Sequence, residues 1–224
     1  MKLRSYLLRG LGFLALSVGG IAVANAGTMP TIFGGVYTSK TKLPFTLLDL
    51  GTGNGSGKQT VTSPFTVSGE TISFVGNSGV YSGSKTGIAA SPFGTSDENY
   101  LVAEPKAFHA NPSNVTITFQ SPQTTFDLIW GSVSSDNVLS FKTSAGQTIN
   151  GQEIFDAIPQ LDGKSLNAYV SIGSLAPFTS VVVTTKSPFE FNPSTPVPEP
   201  GSLLLLGTGL MGLGLVLRKR KTRG

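Results

Sequence analysis

Hydrophobic and polar residues alternate with a period of two over much of the chain. Val115-Thr-Ile-Thr-Phe119 places Val115, Ile117 and Phe119 on one face, and Phe126-Asp-Leu-Ile-Trp130 does the same with Phe126, Leu128 and Trp130. Glu70–Val75, Val138–Phe141, Ala168–Ile172 and Ser180–Thr185 continue the pattern. Clusters of Gly, Pro, Asn and Ser bound these runs, as in strands joined by turns. Asn150-Gly151 and Asp162-Gly163 read as turn dipeptides. The pattern predicts a single short helix, Gln152 to Ile158, stopped by Pro159. There is no internal repeat of fixed period. The expected fold is all-β: an antiparallel two-sheet sandwich, jelly-roll-like, of about eight to ten strands. It spans residues 27–191, long enough for one core without disulfides.

The two ends break the alternation. Residues 1–26 carry Lys2, Arg4 and Arg9, then an apolar run from Leu11 to Val23 and the small-x-small sequence Ala24-Asn25-Ala26. That order predicts a signal peptide helix with cleavage after Ala26 and Gly27 as the new N-terminus. At the other end, residues 192–197 read as a Pro-rich linker. Val197-Pro198-Glu199-Pro200 follows, then the apolar run Gly201–Leu217 and a basic terminus of Arg218, Lys219, Arg220, Lys221 and Arg223. Seventeen apolar residues make a helix of ~25 Å, near the lower limit for a transmembrane span. The basic cluster fixes its orientation, cytoplasmic side last. Pro198 and Pro200 keep Glu199 out of helix and sheet, extended at the membrane edge.

Charge changes the picture once its distribution is read. The chain has a net charge of +4, but the cations sit at the ends. Between Gly27 and Thr195 there are eight lysines, no arginine and eleven acids, a net charge of −3. Such a body is a poor match for phosphate, so no nucleic acid is expected as partner. The absence of Cys removes disulfides, thiol nucleophiles and sulfur-based zinc sites. A single histidine, His109, removes multi-His metal sites.

The tail resembles the PEP-CTERM sorting signal of Gram-negative, biofilm-forming bacteria. The resemblance covers residues 196–224 and rests on the signal at 198–224: the Pro-Glu-Pro motif, the span directly after it, and the Arg-rich end. It implies recognition by an exosortase, a membrane-embedded transpeptidase-like enzyme that cuts near Pro-Glu-Pro. Export through the Sec translocon and trimming by signal peptidase would come first. The inner membrane would serve as a transient anchor and the cell surface or extracellular matrix as the destination, with exopolysaccharide as a neighbour. The same region also carries the label of an ice-binding protein C-terminal domain; it describes a tail shared by unrelated bodies and says nothing of ice. A second, looser resemblance covers Trp130-Gly-Ser, Asp136, Asn137 and Leu139-Ser-Phe141. It is similar to a strand–turn–strand signature in the bodies of some exosortase-dependent surface proteins. There Trp130 and Phe141 read as core anchors, and Asp136 or Asn137 as closing the loop with side-chain hydrogen bonds.

Catalytic motifs appear only as fragments. Gly51-Thr-Gly-Asn-Gly-Ser-Gly57-Lys58 lacks the Walker spacing and the hydroxyl after lysine, and reads as a flexible surface loop. Ser39–Lys42, Lys85–Gly87 and Ser135–Asn137 imitate pieces of a penicillin-binding set in the wrong order. Glycoside hydrolysis needs two facing carboxylates; Asp97, Glu98, Glu104, Asp127, Asp136, Glu153 and Asp156 supply acids, but spacing selects no pair. Asp97/Glu98 or Asp136/Asn137 offer oxygen ligands for calcium without loop-like spacing. Asn54-Gly-Ser56 and Asn114-Val-Thr116 match a glycosylation sequon. The expectation is a non-enzymatic, cofactor-free surface or matrix protein. The alternatives are a carbohydrate-binding module, for which Tyr81, Tyr100 and Tyr169 are the aromatics to inspect, and a matrix-polymer hydrolase.

Overall fold

A computed structural model describes residues 29–195, except 54, 87–88, 95–96, 105–112, 162–163 and 165, with backbone only at 56–58. Thirteen strands form two antiparallel sheets, more than the eight to ten expected. The seven-stranded sheet contains β1 (Thr31–Val36), β2 (Ser56–Val61), β5 (Gly79–Gly83), β6 (Asn99–Ala103), β8 (Phe126–Gly131), β11 (Ala168–Gly173) and β13 (Phe189–Pro193), in the order β1-β11-β8-β13-β6-β5-β2. The six-stranded sheet contains β3 (Phe65–Val67), β4 (Glu70–Val75), β7 (Asn114–Gln123), β9 (Val138–Phe141), β10 (Thr148–Asn150) and β12 (Phe178–Thr184), in the order β10-β9-β12-β7-β4-β3. Eight of the twelve connections pass from one sheet to the other.

The inner faces follow the predicted alternation. Val115, Ile117 and Phe119 of β7 and Phe126, Leu128 and Trp130 of β8 are all buried in one core. Phe126 crosses to Phe119 at 6.3 Å and to Phe141 at 5.8 Å, both edge to face. Phe178 closes the cluster against Phe141 at 5.0 Å and Phe119 at 5.6 Å. Trp130 stacks on Phe189 with ring centroids 4.4 Å apart. Trp130 and Phe141 are thus core anchors, on opposite sheets, so the segment joining them is a crossover and not a hairpin. That crossover is closed by Ser134, whose hydroxyl accepts from the Asp136 N–H. Asn137 instead reaches across, accepting from the Thr185 hydroxyl at 2.7 Å.

Local rules explain the rest. The β3–β4 hairpin turns on Ser68 and Gly69, with φ of 51° and 84°, the two positive angles of a tight type I′ turn. Asn150-Gly151 is not a hairpin turn. Asn150 caps helix α1 (Gly151–Ala157), accepting from the Glu153 N–H while Glu153 accepts from the Asn150 N–H. The segment read as a linker begins inside the sheet: β13 runs through Asn192 to Pro193. Leu48 donates to the Pro193 carbonyl, Ser194 to Asp127, and Thr195 to Thr46, so the body extends at least to Thr195.

Truncating the ring shared by both sheets has a large expected cost. Phe141→Ala should destabilise the fold by about 3–5 kcal/mol, read as a lowered urea midpoint. A loss under about 1 kcal/mol would mean that the aromatic layer is not what joins the sheets.

Candidate functional site

The outer face of the seven-stranded sheet carries most of the polar chemistry. Over β5, β6 and β13 it is roofed by residues 37–47, 84–86 and 89–94. Beneath them lies a second small core of Tyr81, Ala89, Phe93, Tyr100, Val102 and Ile129. Tyr81 donates to Glu104 at 2.9 Å, and Tyr100 donates to the Gly83 carbonyl at 2.5 Å. Burial, with Glu104 beside Tyr81 and Glu190 near Tyr100, holds both phenols protonated well above their ordinary range. These two tyrosines are therefore not on an open face for sugar stacking. They are covered from far upstream by Tyr37, Leu43 and Leu47 and from just beyond β5 by Ala89 and Phe93.

Glu190 lies on β13 beneath the same roof. Its Oε1 accepts from the Ala90 N–H at 2.9 Å, while Oε2 is buried without a partner among the described residues. It forms part of the wall of a cavity of about 400 Å³ with Lys85, Ser84, Thr86, Ser132 and Ser187. Burial pushes its carboxyl up to about 7, against the opposing pull of the Ala90 N–H. Glu70, at the start of β4, is wholly buried with both oxygens unpartnered among the described residues, and burial pushes it up to about 8. The sequence reading passed over both carboxylates. Each occupies a strand position of the kind normally filled by an apolar residue.

The acids singled out from sequence do not converge. Glu153 is taken by the helix cap, and Asp156 accepts from Gln152. Asp127 accepts from the Ser171 hydroxyl at 2.5 Å. Burial raises the Asp127 carboxyl and Ser171 partly offsets it. Among the described residues, no three Asp, Glu or His side chains come together as a metal site. The glycine-rich segment is not a free loop. Gly51 accepts from Asn99, Thr52 bridges to Glu98, Gly53 donates to Asp97, and strand β2 begins at Ser56. Ser39–Lys42 forms no helix. His109 and the Asp162-Gly163 turn lie outside the described residues.

Among the described residues, the β1–β11–β8 end of the same outer face is not roofed. Phe33 on edge strand β1 is 67% exposed, beside half-buried Tyr169 and Ser171 on β11. The signal for Phe33 in the sequence is weak, since two glycines follow it and interrupt the strand pattern.

The sorting residues Val197, Pro198, Glu199 and Pro200, the basic residues Arg218–Arg223, and the processing site at Ala24, Ala26 and Gly27 lie outside the described residues. So do both terminal helices expected from sequence. Among the described residues no helix is long and apolar enough to cross a membrane. What places the tail is a family comparison. Residues 196–221 match the PEP-CTERM protein-sorting motif. No curated protein and no solved structure matches the chain. The PEP-CTERM motif marks an exosortase-targeted chain, made as a membrane-anchored precursor and then exported. It begins one residue after Thr195, where the ordered body is pinned to Thr46.

The buried carboxyls set a pH dependence with an unusual sign. Between the ordinary value of 4.5 and the raised values, the folded chain holds protons that the unfolded chain has released. Stability should therefore fall as pH rises from about 5 to about 8, by at most roughly 1.4 kcal/mol per pH unit for each group. Thermal melts across that range should show the decline, and Glu70→Gln should flatten it and raise the midpoint at the alkaline end. A midpoint that climbs with pH would contradict the burial of a neutral Glu70.

Proposed function

We propose that this chain is a non-catalytic protein of the cell surface or extracellular matrix whose β-rich body works through its exposed surface. The observation that carries the reading is the match of residues 196–221 to the sorting motif, with an all-β body directly upstream. The order of processing follows from the sequence. Export leaves Gly27 as the N-terminus after signal peptidase acts at Ala24-Asn25-Ala26. Gly201–Leu217 then holds the precursor in the inner membrane, with Arg218–Arg223 on the cytoplasmic side. The exosortase reads Pro198-Glu199-Pro200 and cuts near it. The body enters the biofilm matrix among exopolysaccharide, needing no cofactor.

Support for a non-enzymatic role comes from the carboxylates. Glu104, Asp127, Glu153 and Asp156 each have a protein partner, and Glu70 is wholly buried, out of reach of a polymer. A hydrolase of matrix polymers would need two free acids facing one cleft.

Intact mass of the extracellular protein tests the processing. The expected species lacks residues 1–26 and everything beyond the Pro-Glu-Pro region. Replacement of Glu199 by Ala should make the uncut precursor accumulate in the membrane fraction. An extracellular form that still carries Arg218–Gly224 would overturn the exosortase reading.

A further inference from the structure

Phe33, Ser171 and Asp127 lie in one row across three neighbouring strands, Phe33 opposite Ser171 and Ser171 opposite Asp127. In the next row on the same face, Tyr169 lies opposite Gly35. A Cβ built on Gly35 would stand 2.9 Å from Cε1 and 3.0 Å from the hydroxyl of Tyr169. Only a residue without a side chain lets that ring lie across the β1 backbone. Phe33 and the Gly35 position over which the Tyr169 ring lies are two residues apart on one face of β1, roughly 7 Å along the strand. Beside them the Ser171 hydroxyl donates to Asp127 Oδ1 and leaves the second carboxylate oxygen for another donor.

This combination selects its ligand. Two flat rings on an open sheet offer an apolar platform, and the serine–aspartate pair beside them needs hydroxyl partners. Strands β1, β8 and β11 contain no Lys or Arg and one acid, Asp127. That charge disfavours phosphate, sulfated or uronic polymers and anionic lipid. A pyranose has a C–H face that stacks on aromatic rings and a rim of hydroxyls that bonds to carboxylate and serine. We infer that the outer face bearing Phe33, Tyr169, Ser171 and Asp127 binds a neutral polysaccharide chain, with one sugar unit on each ring.

The inference adds a ligand class to the surface-protein reading and relies on it only in placing the body outside the cytoplasm. Its test is independent of processing. The full chain, solubilised in a neutral detergent, is run in native gels containing hydroxyethylcellulose or dextran, with dextran sulfate as the charged control. Retardation is expected in a neutral polymer and not in dextran sulfate. Phe33→Ala and Tyr169→Ala should each weaken it at least tenfold, with melting temperatures near that of the parent chain. Gly35→Ala separates recognition from folding. It displaces the Tyr169 ring without a backbone penalty, since Gly35 is not at positive φ, and should weaken binding while the melt is unchanged. Because the chain has no cysteine, a dye on Thr31→Cys reports on the same face. Its emission should respond to the neutral polymer. No retardation by either neutral polymer, retardation indifferent to Phe33→Ala, or a dye that responds only on incorporation into phosphatidylethanolamine–phosphatidylglycerol vesicles would each overturn the assignment. The last result would make the face a membrane contact.

Discussion

The structure depends on the layer of aromatic rings between the two sheets. Phe126 from the seven-stranded sheet lies between Phe119 and Phe141 of the six-stranded sheet, and Phe178 joins those two. Eight connections cross this layer, so neither sheet is assembled from consecutive strands alone. Each sheet presents its apolar face only if the other is there to cover it. Such non-local pairing makes folding slow relative to helical domains of equal size. With no disulfide available, non-covalent packing in this layer is what draws the two sheets together.

What could be read from sequence follows from burial geometry. Strands β4, β7, β8, β9, β11 and β12 were legible because inward apolar residues alternate with more polar outward ones, as in Val115-Thr-Ile-Thr-Phe119. Strands β5, β6 and β13 were not, because both of their faces are buried and Gly79–Gly83 or Asn99–Ala103 shows no period of two. The second face is covered by residues 37–47, 84–86 and 89–94, whose return onto the sheet leaves no mark in the strands themselves. The same roof explains why Tyr81 and Tyr100, expected on an open face, are internal. Asn150-Gly151 misled for a different reason: the residue types that close a hairpin also begin a helix, and Glu153 three residues on decides between them.

Buried carboxyls and the open aromatic face occupy opposite roles on one molecule. Glu70 and Glu190 give up hydration without a compensating ion pair, which costs stability and leaves them uncharged over part of the pH range. The Asp127 carboxylate is half-buried and accepts from Ser171, so it keeps contact with solvent where Glu70 has none.

The stitching of Ser194 to Asp127 and of Thr195 to Thr46 fixes where the chain leaves the body. From Thr195 to Pro198 there are three residues, a reach of at most about 11 Å when fully stretched. Whatever is joined to the chain near Pro-Glu-Pro, be it bilayer or surface polymer, therefore holds the body by one pole on a leash shorter than the body is wide. Asp127 accepts at that pole and also belongs to the Phe33 row, so attachment also sets the compass bearing of the aromatic rings: a displayed copy would present them low, next to its own footing, and neighbouring copies would present them alike.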